Sequence, residues 1–131
     1  MTRATSRKAS IDMMIEQIKQ HPRGITLARD GTIPYLYQGY FIGTTNIVAP
    51  VTDESRLRAL LEDLTRNPLA EYVGTWYSEE SKSQYLDATV HLSCRQDALH
   101  LARMYNQEAI YDIGQRKCIL LKKGKYEKKQ E

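Results

Sequence analysis

The sequence predicts an α+β fold in which three amphipathic helices pack on one face of a mostly antiparallel sheet. Three observations lead there. Apolar residues recur at i, i+3, i+4 and i+7 in three separate segments, and between those segments the period drops to two. The alternating stretches come in pairs joined by turn-forming residues, which favours hairpins over parallel crossovers. A chain of 131 residues, 41% apolar and 27% charged, can bury one core without metals or cross-links and is short for two domains.

The first helix is expected from Ser10 to about His21, with Ile11, Met14, Ile15 and Ile18 on one face and Pro22 ending it. Ile25 to Ala28 then reads as a strand. Arg29-Asp30-Gly31 is a turn signal, and a second extended run spans Tyr35 to Ile42, with Pro34 reducing its start to an edge or a loop. The second helix spans about Asp53 to Arg66, with Leu57, Leu60, Leu61 and Leu64 as its stripe. Thr52 or Asp53 supplies its N-cap, and Asn67-Pro68 stops it.

Tyr72 to Tyr77 and Tyr85 to Leu92 form a long hairpin across the polar stretch Ser78 to Ser83. In its second strand Tyr85, Asp87, Thr89 and His91 alternate with Leu86, Ala88, Val90 and Leu92, so one face is apolar and the other is expected in water. The third helix runs from about Arg95 to Tyr105, with Ala98, Leu101, Ala102 and Tyr105 on one side. Ser93 and Gln96 have the spacing of a capping box, and Asn106 suits a left-handed close. Glu108 to Ile113 and Cys118 to Leu121 flank Gly114-Gln115-Arg116-Lys117 as a last pair. Two short stretches, Tyr40-Phe41-Ile42-Gly43-Thr44 and Tyr72-Val73-Gly74-Thr75, are alike.

The net charge of +3 is unevenly spread. Residues 1–9 carry three basic and no acidic residues, 116–131 carry seven basic against two acidic, and 10–115 carry nine basic against fourteen acidic. This divides the chain into a basic flexible N-terminus (1–9), a single acidic domain (10–121) and a basic flexible tail (122–131). Lys122, Lys123, Lys125, Lys128 and Lys129 supply phosphate-neutralising charge for weak nucleic-acid binding, although specificity needs base contacts from an ordered surface. No apolar run reaches the roughly 18 to 20 residues of a membrane helix, Met1 to Ala9 lacks a signal-peptide core, and two cysteines are too few for a disulfide framework. The expectation is a cytoplasmic protein with reduced thiols and no membrane partner.

Cys94 is the first candidate for chemistry, since a helix start lowers a thiol pKa, with His91 and His100 near in sequence. That is the pattern of a small thiol enzyme. A metal set drawn from His91, Cys94, His100 and Cys118 lacks the close spacing of structural zinc sites, and no cofactor is expected. Asp87, Glu108 and Asp112 fall on or beside strands, where a pair serves acid and base chemistry only if the sheet brings them together. Nine Tyr and one Trp stand against one Phe. Among them Tyr40, Tyr72, Trp76, Tyr77 and Tyr85 lie on strands, and Tyr35 and Tyr37 beside one, where exposed rings form a binding surface. Phosphate-loop, dinucleotide, zincin and hydrolase motifs do not occur.

Four pieces of this sequence also form a pattern: Tyr72-Val73-Gly74-Thr75-Trp76, Tyr85-Leu86-Asp87, the helix with Ala98 and Ala102, and Asn106-Gln107-Glu108-Ala109-Ile110-Tyr111-Asp112. The pattern resembles small uncharacterised α+β proteins of bacteria, phages and plasmids. The resemblance covers about a third of the chain and implies a mobile-element origin, no assigned enzyme activity and no catalytic residue. Taken together, the sequence favours a non-catalytic protein-binding or regulatory protein, monomer or homodimer, with the nucleic-acid and thiol-enzyme readings as alternatives.

Overall fold

The computed structural model describes residues 6–45 and 47–121. Along the chain lie α1 (Arg7–Gln20), β1 (Gly24–Ala28), β2 (Tyr40–Gly43), β3 (Ile47–Val48), α2 (Glu54–Leu64), β4 (Tyr72–Ser78), β5 (Ser83–Leu92), α3 (Arg95–Met104), β6 (Ala109–Asp112) and β7 (Lys117–Leu120). All strand pairings are antiparallel, in the order β1-β4-β5-β2-β6-β7, with β3 also alongside β5. The predicted α+β class is the one observed.

The period-two residues sort the sheet into two faces. Leu27, Val73, Leu86 and Ala88 face α1 and α2, where Met14, Ile18, Leu57 and Leu61 close a fully buried cluster. Farther along, Ile42 and Ile110, with Val90 and Leu92 beside them, meet Ala98 and Ala102 of α3. The two alanines carry no bulk, which lets this helix sit close against the strands. Arg58 and Lys19 join α1 to α2 through Asp12 and Glu54, each at 2.6 Å.

Several boundaries and caps differ from the sequence reading. The first helix begins at Arg7 rather than Ser10, because Ser6 caps it: its hydroxyl accepts the Ala9 amide at 3.1 Å. Arg7 therefore belongs to the fold, and it donates to the Glu62 carbonyl and, at 2.9 Å, to the Thr65 hydroxyl near the C-terminus of α2, where a cation is favoured. At α2, Asp53 is the cap and accepts the Arg56 amide at 3.2 Å.

The capping box expected at Ser93 does not form. Strand pairing holds the chain extended through Leu92, opposite Tyr40, and the helix starts at Arg95 as expected, but with Cys94 rather than Ser93 at the N-cap and no side-chain cap bond. Its other end closes as expected: Asn106 is left-handed (φ 57), and the Gln107 amide donates back to the Ala102 carbonyl at 2.8 Å.

The strands before α2 also depart from expectation. β1 and β2 are not neighbours, since β4 and β5 lie between them, and residues 35–39 are irregular up to Gly39 (φ 98). The short β3 falls in a stretch to which the sequence reading assigns no element.

Six strands abreast at about 4.8 Å would set β1 and β7 roughly 24 Å apart if flat. Both edges nevertheless line one cavity on the face away from the helices. The sheet is curled, and its free face is concave.

Candidate functional site

The hollow of the sheet takes its shape from what its strands lack. On β5, Tyr85, Asp87, Thr89 and His91 alternate onto the concave face. Opposite Asp87 on β4 stands Gly74, and opposite Thr89 on β2 stands Gly43. A methyl group added at Gly43 would lie 2.9 Å from the Asp87 Cγ, and one at Gly74 would lie 2.5 Å from the Thr89 Oγ1. Only glycine on both flanking strands leaves room for these two side chains. The cavity above them measures about 570 Å³, within the range of small-molecule sites.

Aromatic rings stand at both ends of this floor. Trp76 stacks on its cross-strand partner Tyr85 at 5.6 Å and 27°. At the other end Phe41 meets Tyr72 edge-on at 5.3 Å, His91 at 6.0 Å, and Tyr111 nearly parallel at 6.4 Å. The loop after β1 adds Ile33, Pro34 and Leu36 to the wall. Trp76, the chain's only tryptophan, lines the cavity itself.

Asp87 departs most from expectation. Predicted on a wet face, it is 4% exposed, and among the described residues its Oδ1 has no hydrogen-bond partner. Burial pushes its carboxyl up to about 7. The curl is the physical reason: a concave sheet shields its own face, and the neighbouring glycines offer no side-chain donor.

The other candidates are dispersed. His91 has its Nε2 3.0 Å from the Gln38 carbonyl oxygen, and Cys94 is exposed at the start of α3. His100 is exposed on that helix. Asp112 is buried on the opposite face parity from Asp87 and accepts the Gln115 amide at 3.1 Å in the β6–β7 turn. Glu108 precedes β6, where its carbonyl accepts the Leu121 amide. Cys118 does line the hollow, and desolvation raises its thiol. Among the described residues, no three His, Cys, Asp or Glu side chains gather as a metal-ligand set.

Of the five strand aromatics proposed as a surface, Tyr72, Trp76 and Tyr85 share the concave face. Tyr40 packs towards α3, and Tyr77 alternates to the other side. Phe41, Gly43, Gly74 and Thr89 were missed as site residues. Their signal was present: the two similar stretches each place an aromatic two residues before a glycine, and they form the strands that flank β5. Lys122, Lys123, Lys125, Lys128 and Lys129 lie outside the described residues. Among the described residues no helix is long and apolar enough to cross a membrane.

Comparison with protein-family models, curated proteins and solved structures finds no match to this chain.

Proposed function

We propose that the chain is a non-catalytic binding protein that holds a small, largely apolar molecule in the hollow of its curled sheet. The observation that carries this reading is a cavity bounded by aromatic and aliphatic side chains from both sheet edges, with one buried carboxyl oxygen that has no partner among the described residues. Apolar walls supply affinity and a few placed polar groups supply orientation. The dispersal of Cys94, His91 and His100 favours binding over thiol chemistry. The regulatory, phage- or plasmid-type character implied by the resemblance fits a protein that responds to such a ligand.

Trp76 makes the test direct. A panel of aromatic and aliphatic fragments, titrated into the full chain, is expected to change Trp76 fluorescence saturably and to shift the amide resonances of Gly43, Gly74 and Thr89. Fragments that bind only elsewhere, or a panel that leaves these signals unmoved at millimolar concentration, would overturn the reading.

A second reading has its own observation. Tyr35 and Tyr37 are 88% and 83% exposed in the loop that walls the cavity, a placement suited to a protein partner. A partner recovered by the wild type and lost by the Tyr35→Ser/Tyr37→Ser variant supports it; equal recovery by both counts against it.

A further inference from the structure

We infer that the molecule held in the hollow is an organic cation, its protonated amine buried against Asp87 and its apolar body lying between Trp76 and Phe41. This rests on the binding reading above and names the chemical class of its ligand.

Polarity inside the cavity is one-sided. Among the described residues its charged or titratable lining groups are Arg23, Asp87, Tyr111, Arg116 and Cys118, and of these Asp87 alone is buried. Arg23 stands at the mouth with its side chain 87% exposed, 3.6 Å from Glu79. Arg116 is exposed in the β6–β7 turn. Charges so placed are screened by water and salt. Among the described residues, the elements packed beside Asp87 bring no opposing charge, since the floor residues flanking it are Gly43, Gly74 and Thr89. Thr89 spends its hydroxyl on the Asp87 backbone carbonyl at 3.3 Å, not on the carboxyl.

Among the described residues, the Asp87 Oδ1 therefore stands as an acceptor with no donor in hydrogen-bond reach, the Thr26 hydroxyl lying across Gly74 from it. Among the described residues two other buried polar side-chain atoms lack partners, Gln17 Oε1 and Gln84 Nε2, but both are neutral amides outside the cavity lining. A buried carboxylate without partners is unfavourable, and an ammonium group supplies both the missing hydrogen bond and the opposite charge. Aromatic faces at Trp76 and Phe41 add attraction for a cation that neutral ligands do not receive. Anions gain nothing at this depth and meet the two arginines only at the solvent-exposed mouth.

The experiment compares 2-phenylethylamine with its neutral counterpart 2-phenylethanol and the anion 3-phenylpropanoate, each titrated into the full chain. Trp76 fluorescence and the amide resonances of Gly43, Gly74 and Thr89 report occupancy. The amine is expected to bind about tenfold or more tighter than the alcohol at about pH 8, the scale of one charge-assisted hydrogen bond. Its advantage should shrink at about pH 5.5, where Asp87 takes up a proton while the amine stays charged. Asp87→Asn, which keeps the side-chain shape, should abolish the preference and leave alcohol binding within about twofold, a readout that a folding defect would not produce.

Equal binding of amine and alcohol, stronger binding of the anion, or a preference that survives Asp87→Asn would overturn the inference while leaving the binding reading in place. If none of the three probes perturbs Trp76 or the floor amides, both fail.

Discussion

Leu86 and Asp87 are adjacent on β5 and equally hidden from water, yet they point to opposite sides of the same sheet. Leu86 is buried because side chains from α1, α2 and neighbouring strands fill the space around it. Asp87 is buried because the sheet bends over it, while the strands on either side present glycine. Burial by filling produces a core. Burial by curvature, with side chains missing, produces a hollow, and only the second leaves a polar atom waiting for a partner.

The largest effect expected on the filled side is that of Leu86→Ala. Removing a fully buried leucine should cost about 2 to 5 kcal/mol in denaturant unfolding. A cost below about 1 kcal/mol would mean that the helix-covered face is no better packed than the open one.

Asp87→Asn tests the hollow side and should act in the opposite direction at neutral pH. The folded chain holds the Asp87 proton up to about pH 7, whereas the unfolded chain releases it near the ordinary value of 3.8. Wild-type stability should thus fall as pH rises across that window, by up to about 4 kcal/mol from this group. The asparagine variant carries no such charge, so it should be the more stable protein at about pH 8 and the two should converge near pH 4. Unfolding curves at both pH values measure this, and a wild-type-to-variant difference that does not change with pH would sink it.

A smaller effect is expected where the two side chains take up the glycine space. Gly74→Ala brings a methyl group against Thr89 Oγ1 and should cost about 1 to 3 kcal/mol. Most of that should return in the Gly74→Ala/Thr89→Ala double variant, because the two changes share one clash. Additive losses would show that crowding is not the reason for the glycine.

Smallest is Asn106→Ala at the end of α3, far from either comparison. Its left-handed backbone should cost alanine about 1 kcal/mol and tolerate glycine without loss, as read by thermal unfolding.

Much of the helix-covered face was legible in the sequence, since most of the elements that build it repeat a short pattern, β3 with Ile47 being the exception. Leu57, Leu61 and Leu64 announce a stripe, and Leu86, Ala88, Val90 and Leu92 announce a face, without knowledge of any partner. Ends failed where something outside the apolar pattern decided them. The strand partner of Leu92 took Ser93 out of the cap position of α3, and the Ser6 cap brought Arg7 into the first helix, where it reaches the Glu62 carbonyl and the Thr65 hydroxyl near the end of α2. The hollow was legible only in fragments. Trp76, Tyr72, Tyr85 and Asp87 were named, but as members of a wet surface.

What the sequence determined by itself is which residues are apolar together: three helical stripes, alternating strands and a α+β arrangement that brings them to a common side. Periodicity is local, so it survives being read one segment at a time. Strand order and curvature are not local. That Gly43 and Gly74 come to flank one carboxyl, 31 residues apart in the chain, was decided only when β2 and β4 took their places on either side of β5. The same bending turned a face patterned for water into an enclosed space, because accessibility depends on what stands opposite and not on the residue itself.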